Sequence, residues 1–220
     1  MKRMSIYLLA ALLLVGCSDD QDTSNTDLVE KEVKSTVKQT SYNPEKYRDN
    51  PQAPATDSLT EVGQVFRDED GKVELMAITD DKVSTTIGPI NFQLSDVKVL
   101  DFTPAYHLID YFHGLTHQET NFLYVKLQVT ITNNADQIVD FAPVSVIETN
   151  QGEQKSFEDD FYLQSLNGPI LAGDSKTGEL AFILEETDIS ELTKLSITTS
   201  NVFTEDKEEL AEGKKIAIEF

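Results

Sequence analysis

Tyr124-Val125-Lys126-Leu127-Gln128-Val129-Thr130-Ile131-Thr132 alternates apolar and polar side chains, apart from the amphipathic Tyr124 at its start. A strand turns successive side chains to opposite faces, so this period of two sets Tyr124, Lys126, Gln128 and Thr130 on one face. Val125, Leu127, Val129 and Ile131 fall on the other. A helix of 3.6 residues per turn would scatter both sets around its circumference. The stretch therefore reads as a half-buried strand. Residues 90–99 carry the same alternation. Shorter strand-like runs follow at 73–78, 144–147, 179–184, 195–198 and 216–218. Turn signals separate them: Asp70-Gly71, Asn133-Asn134, Asn150-Gln151-Gly152, Gly168-Pro169 and Ala172-Gly173-Asp174. Beyond residue 60 no segment of twelve or more shows a helical period. Many short strands with frequent turns predict an all-β, antiparallel sandwich or barrel.

The rest of the chain bounds what this domain can do. The 220 residues carry 18 Lys and Arg against 39 Asp and Glu, a net charge of −21. Such a surface repels phosphate backbones and excludes nucleic acid as a partner. One cysteine excludes an intramolecular disulfide and a cysteine-rich zinc site. That cysteine, Cys17, stands at the end of Leu14-Val15-Gly16-Cys17. Before it come the positive Lys2 and Arg3 and an apolar run over 6–15. The run is too short to span a bilayer and has the proportions of a secretory signal. The motif resembles the lipobox of bacterial lipoproteins. That resemblance implies a signal peptide over 1–16, cleavage before Cys17 and acylation of its thiol. Cleavage would remove two cations and no acid, taking −21 to −23. The expected address is the extracytoplasmic face of the cell membrane, with the N-terminal lipid as the membrane contact.

Residues 18–60 are polar, contain Pro44, Pro51 and Pro54, and hold few apolar side chains. They read as a flexible tether, about 35 Å long in root-mean-square extension. The globular domain is expected over 61–220. Within it the order of motifs is distinctive. The strand ending in Asn133-Asn134 leads to Val139-Asp140-Phe141 and a Gly152 turn. Next come Gly173-Asp174-Ser175 and the strand Gly178-Glu179-Leu180-Ala181-Phe182, then Leu195-Ser196-Ile197. Over roughly 90–200 this resembles the telokin-like, immunoglobulin-like domains of Gram-positive secreted lipoproteins, a family of unassigned function. The resemblance implies an immunoglobulin-like antiparallel β-sandwich outside the cytoplasm and supplies no catalytic residues.

No catalytic constellation stands out in the residues themselves. Asp68-Glu69-Asp70-Gly71 fails as an EF-hand loop, because its first and twelfth positions would be Phe66 and Ala77. It reads as a hairpin turn. Gly168 to Gly173 has glycines spaced like a phosphate loop, but Asp174 occupies the lysine position. There is no Gly-x-Ser-x-Gly elbow. The chain is expected to be non-enzymatic, without a cofactor, and to bind a protein, peptide or envelope component. The segment between the strands near 100 and 122 is long and rich in aromatic side chains. From it Tyr106, Tyr111 and Phe112 are singled out as a partner contact. The competing role for the same side chains is a short helix capping the core. An alternative function is metal binding by His107, His113 and His117, imidazoles clustered with Asp110 and Glu119.

Overall fold

The computed structural model describes residues 53–79, 82–118 and 120–220. The signal peptide, Cys17 and the tether up to residue 52 lie outside the described residues. Fourteen strands are described: β1 (Val65–Arg67), β2 (Gly71–Thr79), β3 (Val83–Ile87), β4 (Ile90–Pro104), β5 (Phe122–Asn133), β6 (Val139–Phe141), β7 (Val146–Thr149), β8 (Gln154–Ser156), β9 (Gly168–Ile170), β10 (Ser175–Leu184), β11 (Lys194–Thr198), β12 (Val202–Thr204), β13 (Glu209–Ala211) and β14 (Lys215–Glu219). The single turn of α-helix α1 (Ile109–Phe112) follows a 3₁₀ turn over Tyr106–Leu108. A six-stranded sheet runs β1-β2-β4-β5-β10, with β3 paired to the first part of β4. Two four-stranded sheets run β14-β11-β7-β8 and β13-β12-β6-β9. The strand pairs are antiparallel. The chain is all-β and sandwich-like, as the alternation predicts.

The inner face of the large sheet makes the main core. Val125, Leu127, Val129 and Ile131 of β5 pack with Phe92, Val99, Leu180 and Phe182 from the flanking strands. From the smaller sheets they meet Phe141, Ile147, Leu195, Ile197 and Ile218. Each such side chain contributes about 1.5–3 kcal/mol when fully buried. The two motifs that carry the sequence resemblance meet at one end of this core. The Asn133 backbone N–H donates to the Asp174 carbonyl at 2.9 Å. Its buried side-chain amide donates to the Gln137 and Ile170 carbonyls at 2.8 and 3.0 Å. The asparagine thus ties the β5 end to the turn that starts β10.

The outer face of the same sheet is also covered over half its length. Val73, Leu75, Leu100, Phe102, Phe122, Tyr124, Ala181 and Ile183 form a second core. Leu108 and Phe112 lie over it from the helical turns, Phe161 and Tyr162 from the segment before β9, and Ala53 and Leu59 from the N-terminal side. Residues 53–60, expected to belong to the tether, therefore pack on the domain. Residues 53–60 are poor in apolar side chains, yet two of them suffice as anchors where the sheet already offers an aromatic surface. The β10 edge is closed by the same cover. Asp160 Oδ1 accepts from the Ala181 N–H at 2.9 Å, and Gln164 Oε1 accepts from the Glu179 N–H at 2.8 Å. Filling those ladder positions with side chains leaves no open edge there for another strand.

Candidate functional site

A β-bulge decides what the outer face presents beyond its aromatic half. In β4 the register against β5 slips between Ser95 and Lys98. Before the slip Ile90, Phe92 and Leu94 face inward; after it Val97 and Val99 do. The extra residue moves Lys98, Leu100 and Phe102 to the outer face. Asp96 takes the left-handed backbone of the bulge, with φ +49°. Aspartate tolerates that region better than most residues.

The slip sets Lys98 directly opposite Lys126 of β5. Like charges opposed across a strand pair repel, and these two are 2% and 1% exposed. Two carboxylates resolve the conflict. Asp96 Oδ1 is 2.9 Å from the Lys98 ammonium and its Oδ2 is 3.6 Å from that of Lys126. Glu179 Oε1 of β10 accepts from Lys126 at 2.6 Å. The Thr56 carbonyl, from the docked N-terminal segment, accepts from Lys98 at 3.0 Å. Two cations and two anions give a locally neutral cluster. Beside it opens a cavity of about 640 Å³, walled by Asp57, Ile78, Ser95, Asp96, Lys98 and Gln128.

Folding alone gives little reason to retain such a cluster. Desolvating buried ions roughly cancels their attraction, and apolar replacements of the same volume are often neutral or stabilising. Next to the cluster the aromatic half begins. There burial pushes the Tyr124 and Tyr162 hydroxyls well above their ordinary pKa, and the Glu179 carboxylate adds to the effect. Desolvation raises the Asp160 pKa from 3.8 to about 6, against the backbone N–H groups of Ala181, Tyr162 and Leu163 that lower it.

The residues singled out in the sequence are divided by the fold. Tyr106 is 92% exposed on its 3₁₀ turn. Tyr111 is partly exposed, its ring edge-on to Phe112 at 5.0 Å. Phe112 is buried against Phe102, Phe122 and Phe161 at centroid distances of 4.9–5.7 Å. Phe112 thus belongs to the cap, and the expected three-residue contact reduces to Tyr106 and Tyr111. The physical reason is the helical turn, which carries Phe112 onto the sheet while Tyr106 faces solvent.

The histidines do not converge. His107 Nε2 lies 3.5 Å from Asp70, while the backbone N–H of His113 closes the helix on the Ile109 carbonyl and the backbone N–H of His117 donates to Glu185. Among the described residues no three His, Cys, Asp or Glu side chains are placed to hold a metal ion. Glu119, which the metal-site alternative sets beside these imidazoles, lies outside the described residues. Asp68 to Gly71 forms the β1–β2 hairpin turn, with the Asp70 N–H donating to Asp68 Oδ1 at 2.9 Å.

No family model matches the chain. The uncharacterized protein YdhF of Bacillus subtilis strain 168 is 33% identical to it over 237 aligned residues, spanning 100% of both chains. The chain belongs to the YdhF family. The crystal structure of a functionally unknown protein from Listeria monocytogenes EGD-e is similar to this YdhF-family fold, with a TM-score of 0.51. That likeness covers 68% of this chain and 88% of the other, at 12% identity. At such identity it shows the fold alone. Among the described residues of the YdhF-family chain no helix is long and apolar enough to cross a membrane.

Proposed function

We propose that the chain is a lipid-anchored, extracytoplasmic and non-enzymatic binding module. In this reading Cys17 carries the lipid and the immunoglobulin-like β-sandwich engages a protein, peptide or envelope component. One observation carries the binding role. The domain keeps two desolvated, ion-paired lysines on the outer face of its main sheet, and one of them, Lys98, lines an open cavity. Buried ion pairs in general add little net stability, whereas a binding surface uses fixed charges held in place by a rigid sheet. Tyr106 and the exposed part of Tyr111 supply a second contact surface. Their rings offer large area at low entropy cost.

The test is photo-crosslinking on intact cells from a reactive residue in place of Thr79, at the cavity wall. A control probe replaces the exposed Glu219 on β14. A discrete adduct from position 79 and none from 219 is expected. It should be lost when Cys17→Ser releases the protein from the cell surface. Equal labelling from both positions, or adducts unchanged by Cys17→Ser, would remove the reading.

A further inference from the structure

The cavity beside the β4 bulge has more hydrogen-bond donors to offer than acceptors. An ammonium carries three N–H bonds. Lys98 spends one on the Thr56 carbonyl and one on Asp96 Oδ1, which leaves one for the cavity it lines. Gln128 accepts from the Ser95 hydroxyl through Oε1 at 3.3 Å, and its side-chain NH₂ has no partner among the described residues. The Lys82 ammonium at the wall has none among them either. The carboxylates at the wall already face partners. Asp96 turns one oxygen to Lys98 and the other to Lys126, and Asp57 is itself engaged. A ligand that completes this site must bring acceptor oxygens.

Charge narrows the class further. Among the described residues the cluster of Asp96, Lys98, Lys126 and Glu179 is neutral, and Lys82 and Asp57 at the wall leave it so; Asp80 and Asp81 lie outside the described residues. A chain of net charge −21 otherwise repels anions. One negative charge, set against the spare N–H of Lys98 and the Lys82 ammonium, takes this count to −1. A second would take it to −2, facing Asp57 and Asp96.

We infer that this cavity binds a singly charged oxyanion, the group that a carboxylate and a phosphodiester share. The inference rests on the binding-module reading and names the chemistry of its ligand. Lys98 at the floor and Lys82 at the wall meet the charge, and the Gln128 amide donates to a second oxygen.

The experiment titrates the ¹⁵N-labelled full chain, at constant ionic strength, with acetate, dimethyl phosphate, neutral acetamide and sulfate. Saturable shifts of the Asp96, Lys98 and Gln128 amides are expected with acetate or dimethyl phosphate. For ligands this small the dissociation constant should be about millimolar. Whichever of the two binds more tightly identifies the source of the oxyanion. Acetamide and sulfate should bind at least about tenfold more weakly. Lys82→Ala combined with Gln128→Leu should weaken the anion about tenfold while Lys98, which pairs with Asp96 and the Thr56 carbonyl, is left in place.

Acetamide binding as tightly as acetate, no saturable shift with either anion, or an unchanged affinity in the double variant would each overturn the inference. The crosslink from position 79 separates the two failures. Anions that do not bind beside a persistent crosslink refute only the oxyanion, whereas loss of both refutes the binding module as well.

Discussion

On β5 the inner residues Val125, Leu127, Val129 and Ile131 all join one apolar core. The outer residues of the same strand meet four different chemistries in turn. Tyr124 lies among the aromatic rings, Lys126 between two carboxylates, Gln128 against Ser95 and Thr130 against Thr177. The inner face is specified by volume, so any side chain of the right size and shape serves there. The outer face is specified by pairs, so each side chain depends on one or two named partners. The same backbone therefore carries a forgiving core on one side and an unforgiving polar seam on the other.

The largest expected effects set those two rules against each other on adjacent residues. Leu127→Ala should cost about 2–5 kcal/mol, through lost burial and the cavity left behind. Lys126→Met should cost a similar amount, about 3–5 kcal/mol, because it leaves the buried Glu179 without its 2.6 Å partner. The two losses differ in how they are repaired. Adding Glu179→Leu to Lys126→Met should return stability to within about 1 kcal/mol of the parent, since both members of the pair are then apolar. Urea unfolding of the single and double variants measures this. No recovery in the double variant would mean that the outer face is held by more than its pairs.

How much of this was legible in the sequence follows from the same contrast. Period-two alternation over 90–99 and 122–132 located the central strands, because volume on a buried face leaves a regular signature. The short edge strands β1, β3, β8 and β13 and the short interior strand β12 left none, since three to five residues carry too few apolar positions. The bulge did leave a mark. Ser95-Asp96 puts two polar residues in succession where the alternation allows one, and the apolar positions change from even to odd across it. That break signals a residue inserted on one strand. The partnership of Lys126 with Glu179 left no mark, because the two lie far apart in sequence and meet only through the β5–β10 register. Nor did the docking of 53–60, whose anchors are two apolar residues in a polar run.

That docked segment gives the next effect. Deleting 53–60 exposes the surface under Ala53 and Leu59 and takes the Thr56 carbonyl from the buried Lys98. About 2–4 kcal/mol should be lost, combining the burial of one large side chain with one charge-assisted hydrogen bond. Deleting 18–52 instead should change stability by less than about 0.5 kcal/mol, as expected of a segment too polar to bury surface. Thermal melts of the two truncations measure the difference. Equal melting temperatures would show that the outer core stands without its N-terminal cover.

The smallest effect concerns Asp160, where the outer face uses a carboxylate without a cation. Asp160 Oδ1 accepts from the Ala181 and Tyr162 N–H groups at 2.9 and 3.1 Å. Burial still outweighs those bonds and raises its pKa from 3.8 to about 6. A raised carboxyl pKa means that the folded chain keeps a proton the unfolded chain has released. Between about pH 4 and 6 this group therefore makes stability fall as pH rises, and above 6 its effect is flat. At 1.36 kcal/mol per pH unit the interval from 3.8 to about 6 caps the loss at about 3 kcal/mol. Asp160→Asn keeps an Oδ1 acceptor for both N–H groups and cannot ionise. The neutral acceptor bonds less strongly, so the net gain at pH 7 should be about 1 kcal/mol and should vanish or reverse near pH 4. Urea unfolding of parent and variant at pH 4, 5, 6 and 7 gives the difference at each step. A difference that does not change with pH would show that Asp160 titrates with its ordinary pKa. A variant less stable throughout would show that the negative charge, and not the acceptor alone, holds the segment against the β10 edge.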